Sequence, residues 1–300
     1  MDSAKFFLSE TEPALGRSKL EQIVRCALIE DIGGGDITTQ LTVPRHKYIK
    51  AVFIAKEECV ICGLQAAEMV FKAIDKNINF VPLAKEGQAV KKGKIFARIQ
   101  GQARSILTAE RVALNFLTLL SGIATKTREY VEKVKHYKVK IADTRKTIPC
   151  LRELEKYAVR IGGGHNHRMR LDEMILIKDN HIKVIGDRLW VIGSKGIKNK
   201  IPSQVRIEIE VKNLKEFKKA IKLKPDIIML DNMSIKGMRK AVKIRNSLSP
   251  NTYHPTPKLE ASGGITLKNV KQVASTGVDM ISIGALTHSV SSVDISLEVL

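Results

Sequence analysis

Residues 162–168 read GGGHNHR: three glycines, two histidines flanking an asparagine, and an arginine. Histidines two apart suggest a metal, glycines a phosphate loop, and arginine a carboxylate, which its planar fork binds bidentately. Other residues bear on the choice. In IEIEV (207–211) strand alternation sets Glu208 and Glu210 on one face and Ile207, Ile209 and Val211 on the other. Asp231 follows four apolar residues in PDIIMLDN. Glu210 and Asp231 suit a divalent cation or a developing positive charge, while Glu208 reads as an ion-pair partner for lysines of the same sheet. Lys178 ends MILIK on the face of Met174 and Leu176. A buried lysine there suits a Schiff base or an anion. Together with Arg145, Lys146 and Arg168 it would make a cationic cluster able to hold an acidic molecule. SGGI (262–265) and SIGALTHS (282–289) are glycine-rich turns whose backbone N–H groups suit phosphate.

These residues need a scaffold that brings strand ends together. The chain has 300 residues, 44% of them hydrophobic, enough for one large domain or a barrel with a smaller companion. No run of about 18 apolar residues suggests a membrane span. The first sixteen residues carry acids and lack the apolar core of a secretory signal. Cys59 and Cys62 form a lone CxxC with no second ligand pair for zinc; with Cys26 and Cys150 they read as reduced thiols of a cytoplasmic protein. The net charge of +20 comes from scattered lysines, and aromatics are only 5%, too few for a base-stacking platform. Solvated lysine and anionic substrates account for the charge better than nucleic acid does.

Helical spacing of apolar residues predicts helices over 18–30, 64–74 and 107–124, the last strongly apolar and buried. Residues 49–63 and 80–101 read as strands broken by glycines. After about residue 137 six short apolar runs begin, with helical segments between several of them: KVKIADTRKT, EMILIKDNHI, VRIEIEV, PDIIMLDN, PKLEASGGI and VDMISIGAL. That alternation predicts a parallel α/β architecture. Polar groups end nearly every run (Arg145, Lys178, Glu210, Asp231, Ser262, Gly284), which favours a β/α barrel with its site at the C-terminal strand ends over an open sheet.

Through EDIGGGDITT, ERVALNFLTLLSGIAT, DTRKTIPCLRELEKYAV, GGGHNHR, LIKDNH, IEIEVKNL, IMLDNM, EASGGIT and VDMISIGALTHS, in that order, the chain closely resembles the quinolinate phosphoribosyltransferase family. The resemblance implies an N-terminal α/β sandwich (1–122), an incomplete β/α barrel packed with it (123–288), and a tail (289–300) returning toward the first domain. It implies transfer of phosphoribose from phosphoribosyl pyrophosphate to quinolinate with decarboxylation, as a homodimer with shared active sites or a hexamer of such dimers. By the same resemblance Arg145, His167, Arg168 and Lys178 bind the quinolinate carboxylates, and Arg111 joins them from the neighbouring subunit. Lys146 lies between the substrates, and Glu210 and Asp231 hold the ribose hydroxyls and Mg²⁺, directly or through water. Ser262, Gly263, Gly264, Ser282, Gly284 and His288 take up phosphates, His165 is structural, Gly162–Gly164 allow a tight turn, and no organic cofactor is needed. A sister pyrophosphorylase, a nicotinate phosphoribosyltransferase, a Schiff-base aldolase using Lys178 and a basic nucleic-acid binder are the rival readings.

Overall fold

A computed structural model describes residues 16–186, 202, 204–248 and 256–300. The N-terminal stretch discussed above lies outside the described residues, apart from Gly16. The chain forms two compact units. One gathers the described residues up to Arg128 with Lys146–Gly164 and Ala285–Leu300; the other comprises Glu129–Arg145 and His165–Gly284. Neither is a single contiguous stretch, and no element ends at residue 122.

In the first unit helices α1 (Arg17–Ile32) and α2 (Ile37–Thr42) precede strands β1 (Tyr48–Ala55) and β2 (Cys59–Val60). Asp36 caps α2 by accepting from the Thr39 amide at 2.9 Å. Then come α3 (Leu64–Ile74), β3 (Asn79–Pro82), β4 (Ala89–Val90), β5 (Ile95–Gln102) and α4 (Ala103–Val134), whose last residues belong to the second unit. The short strands β2 and β4 pair with each other. Phe53, Phe71, Phe80 and Phe96 meet in the core with ring centroids 5.7–6.1 Å apart, the separation expected of edge-to-face and offset pairs. The four-stranded sheet runs β12-β1-β5-β3, where β12 (Ile295–Val299) is the C-terminal strand, antiparallel to β1 from Ala51↔Val299 to Ala55↔Ile295.

By length and composition α4 is long and apolar enough to cross a bilayer, contrary to the sequence expectation of no such segment. Its apolar side is core instead: Ile106, Ala109, Ala113, Leu117 and Leu120 recur at helical spacing and are buried.

The second unit is built on six parallel strands, one for each of the six runs: β6 (Lys140–Ala142), β7 (Met174–Ile177), β8 (Arg206–Val211), β9 (Ile227–Asp231), β10 (Lys258–Ser262) and β11 (Met280–Ser282). Their order is β6-β11-β10-β9-β8-β7, with no ladder joining β6 to β7 among the described residues, so the barrel is incomplete. Between β6 and β7 the chain forms α5 (Arg152–Ile161), which belongs to the first unit. Helices α6 (Asp179–Ile185), α7 (Leu214–Lys222), α8 (Ile235–Asn246) and α9 (Val270–Ala274) follow successive strands, and α10 (Ala285–His288) returns to the first unit. Asn213 and Ser234 cap α7 and α8 through the amides of Glu216 and Gly237. Outward residues Ile228, Leu230, Leu259 and Ala261 are fully buried, as a strand face covered by helices requires.

Candidate active site

Strand register sets the functional side chains at defined heights. Asp231, Ser262 and Ser282 are aligned at the C-terminal ends of β9, β10 and β11. One step lower, Glu210 lies level with Met229, and Met229 with Glu260; Glu208 lies lower still, level with Leu176 and Ile227. All share the inward parity of their strands. Ser282 is buried, and its Oγ has no hydrogen-bond partner among the described residues, as expected of a hydroxyl waiting for a ligand.

Glu208 differs from its expectation. It pairs with a histidine rather than a lysine: its Oε2 is 3.0 Å from His167 Nε2. Glu260, which the sequence reading passed over, approaches the same nitrogen at 3.5 Å. The signal was present, because KLEAS places Glu260 and Ser262 on one face by the alternation that groups Glu208 with Glu210. Both glutamates are fully buried, and burial first, then the charge of Glu260, pushes the Glu208 carboxyl above its usual range. Burial opposes protonation of the His167 ring, but the charges of Glu260 and Glu208 outweigh it and push the ring up to about 10. The hydrogen bonds locate the proton differently from a simple imidazolium. The Arg168 amide donates to His167 Nδ1 at 2.9 Å, so Nδ1 offers a lone pair and the ring proton sits on Nε2, toward Glu208. An imidazolium beside two carboxylates carries the same net charge as a neutral ring beside one carboxylate and one carboxylic acid; the Arg168 amide selects the second.

The loop carrying His167 is tied to β6. His165 bridges Ala142, with its amide donating to the Ile141 carbonyl at 2.8 Å, and buried Asp143 accepts from the His167 amide at 2.9 Å. Arg168 is 6% exposed and donates to the Met174 carbonyl at 2.7 Å. Burial, and then the like charge of Arg145, lower its pKa, so the two guanidiniums lie near each other. The glycines of GGGHNHR serve packing as well as turning. Only Gly163 has a left-handed φ, +92°. A Cβ on Gly162 would lie 2.6 Å from the Ala124 carbonyl oxygen, and one on Gly164 2.8 Å from Thr127 Cγ2, so these two let the end of α5 sit against α4.

At the rim, Glu210 is pushed above the usual carboxylate range by burial and then by Asp231, with Lys178 opposing. A carboxylate whose ionisation is opposed by a second carboxylate beside it is well placed to share a cation. Lys178 is exposed rather than buried, so the apolar surroundings expected for a Schiff-base lysine are missing. Lys212, close by, pairs with Asp179 at 2.6 Å. The turns after β9 and β10 interlock: the Asn232 amide donates to the Ser262 carbonyl at 2.8 Å, and a Cβ on Gly263 would sit 2.4 Å from Asn232 Oδ1. Gly263 (φ +88°) and Gly264 (φ +61°) thus shape the post-β10 turn; Gly284 follows β11.

The other site residues lie in the first unit. Arg111 is exposed on α4, beside half-buried Glu110 and buried Val112. The Lys146 carbonyl accepts from Thr287 at 2.6 Å. His288 ends α10, with Nδ1 2.6 Å from Ser289 Oγ.

Comparisons with known proteins bear on this arrangement. The family described as quinolinate phosphoribosyl transferase matches through its N-terminal domain over residues 36–121 and through its C-terminal domain over residues 123–298. A protein of Synechocystis named "Probable nicotinate-nucleotide pyrophosphorylase (carboxylating)" is 43% identical over 272 residues, covering 91% of this chain and 90% of its own. One of the same name from Methanocaldococcus jannaschii is 43% identical over 280 residues, covering 93% and 96%. The solved nicotinate-nucleotide pyrophosphorylase of Francisella tularensis superposes with a TM-score of 0.86 at 39% identity, covering 98% of this chain and 100% of its own.

Proposed function

The chain belongs to the quinolinate phosphoribosyltransferase family, and from that premise we propose that it joins quinolinate to phosphoribosyl pyrophosphate, releasing pyrophosphate and CO₂ and yielding nicotinate mononucleotide for NAD biosynthesis. The observation that carries this reading is the division of charge in the barrel. The like charge of Arg145 acts on the buried Arg168, while Asp231 acts on Glu210 at the C-terminal ends of adjacent strands. A dianionic ring suits the first pair, with Lys178, and a sugar developing positive charge suits the second.

The chemistry follows from these charges. Arg145, Arg168 and Lys178 hold the diacid so that its ring nitrogen meets C1 of the ribose, mainly a positioning effect. Glu210 and Asp231 face the oxocarbenium-like carbon as pyrophosphate departs. The new pyridinium withdraws electrons, so the adjacent carboxylate leaves as CO₂ with its bonding pair kept on the ring carbon, which then takes a proton from solvent. Mg²⁺ bound to the pyrophosphate would supply charge neutralisation, and Glu210 and Asp231 fit it as a hard, mutually repelling oxygen pair. Although the resemblance counts His167 among the quinolinate ligands, both of its ring nitrogens are engaged inside the protein, and in this reading it supports Arg168. Lys146 lies between the substrates, and Ser262, Gly263, Gly264, Ser282, Gly284 and His288 take the phosphates. The unsatisfied Ser282 hydroxyl supports that role.

The working form is a homodimer, or a hexamer of dimers, whose sites are completed by Arg111 of the neighbouring subunit. The exposure of this one arginine on a largely buried helix supports that reading. Cys26, Cys59, Cys62 and Cys150 are free thiols, in keeping with the cytoplasm. The test is direct. With phosphoribosyl pyrophosphate and magnesium, quinolinate should give nucleotide and CO₂ in equal amounts, and nicotinate should give little. Turnover of nicotinate without preference for the diacid would sink the two-carboxylate reading. A borohydride-trapped Lys178 adduct would turn it toward an aldolase.

A further inference from the structure

The buried group beneath the acid pocket is not explained by the reaction. Glu208 stands on β8 beside Leu176 and Ile227, and Glu260 on β10 beside Met229 and Met280. Both are fully buried, and neither Glu260 oxygen nor Glu208 Oε1 has a hydrogen-bond partner among the described residues. Carboxylates in apolar surroundings cost several kcal/mol each unless something else requires them. Both approach His167 Nε2, Glu208 at 3.0 Å and Glu260 at 3.5 Å. The opposite ring nitrogen accepts the Arg168 amide at 2.9 Å, and the Arg168 guanidinium is fastened to the Met174 carbonyl at 2.7 Å. The contacts form a chain from the two carboxylates through the imidazole to the backbone and side chain of the arginine.

We propose that Glu208 and Glu260 are positioning residues of the acid pocket: they orient His167 so that its Nδ1 fixes the Arg168 amide, and thereby aim the Arg168 guanidinium at a carboxylate of the substrate. This rests on the quinolinate reading above for its substrate, though not for its geometry. The same three side chains are, among the described residues, the one group of three or more His, Cys, Asp and Glu residues close enough to share a metal ion. The hydrogen bonds argue against that use. A metal on Nε2 would move the ring proton to Nδ1, where the Arg168 amide already donates, and two N–H groups would then face each other. The carboxylates instead hold Nε2–H and leave Nδ1 to accept. They also give the Arg145–Arg168 pair a counter-charge from below: the charge of Glu208 opposes the loss of the Arg168 proton.

The test compares an acceptor-preserving and an acceptor-deleting variant. In Glu208→Gln the amide oxygen still accepts from Nε2–H, so quinolinate KM should stay within about twofold of wild type. Glu208→Met deletes the acceptor, and Glu260→Met the second oxygen neighbour. Both should raise quinolinate KM, Glu208→Met by about tenfold, while kcat and the phosphoribosyl pyrophosphate KM hold within about threefold. Unchanged quinolinate KM in both methionine variants, or equal change in both substrates' KM, overturns the proposal. Nitrogen-15 histidine NMR of the wild-type protein without substrate, assigned with His167→Gln, supplies a readout that needs neither turnover nor a risky variant. One protonated and one bare ring nitrogen at neutral pH are expected; two protonated nitrogens overturn the assignment. Calorimetric binding of Zn²⁺ that disappears in Glu260→Met also overturns it, in favour of a metal. Absence of any nucleotide from quinolinate would remove the functional reading while leaving the NMR result to judge the geometry.

Discussion

Glu210 ionises at a free-energy cost, through burial and the neighbouring Asp231. Its folded pKa is raised, so the folded chain holds this proton more tightly than the unfolded chain does. The destabilisation is fully present above the folded pKa and vanishes as pH falls below the unfolded value. Glu210→Gln, studied in chelator, should therefore melt at a higher temperature than wild type at pH 7–8, with the gap closing as pH drops through the carboxylate range. The variant should lose turnover at the same time, the trade expected where a site holds strain for function. A lower melting temperature at pH 8 would show that the carboxylate is stabilising there. The same pair predicts that turnover stops in excess chelator, since Mg²⁺ takes few protein carboxylates and relies on substrate phosphates; full activity in chelator would exclude the ion. On the cationic side, Arg168→Ala should cost about 2–4 kcal/mol of quinolinate binding, as one charge-assisted carboxylate contact is lost beside half-buried Arg145. Wild-type KM in that variant would remove Arg168 from the pocket.

At the scale of elements, the junction of α4 with the end of α5 fixes where the His167 loop begins. Gly162 meets the Ala124 carbonyl, an atom of a helix backbone that cannot swing aside. Gly162→Ala should destabilise the fold by about 1–3 kcal/mol, the usual cost of overpacking, whereas Gly34→Ala, with nothing within 4 Å of the added carbon, serves as control. Equal urea midpoints for the two variants would refute the contact. The position also shows what the sequence could reveal. The α3 boundaries, the six parallel strands and the inward parity of Glu208 and Glu210 follow from periodicity, because period 2 and period 3.6 are local properties. That α5 would lie in the first unit, between two strands of the second, did not follow; nor did a packing role for Gly162 and Gly164 in place of a simple turn. Such facts depend on which distant backbone is opposite, here Ala124 and Thr127, and no local spacing encodes that. Glu260 was missed for a different reason. Its alternation with Ser262 is local and legible, but its role depends on a distant residue, through the approach to His167 at 3.5 Å.

For the whole molecule, the number of chains that make one site decides how mixed variants behave. Arg111 is an exposed cation on a helix whose other side is core, in the first compact unit, while Arg145, Arg168 and Lys178 belong to the second. If the arginine serves a neighbouring subunit's barrel, each site is shared and an isolated monomer is inactive. Two inactive variants then complement each other. In a mixed dimer of Arg111→Ala and Lys178→Ala, the barrel with intact Lys178 receives an intact Arg111 from its partner, while the other site carries both lesions. Random exchange makes about half of the dimers mixed, and one site of two works in each, so activity should return to about a quarter of the wild-type rate under two-fold symmetry. The rate should rise with the kinetics of subunit exchange, followed independently by mixing differently labelled chains. Exchange without recovery would mean that Arg111 acts within its own chain, and the dimer would then be dispensable for catalysis.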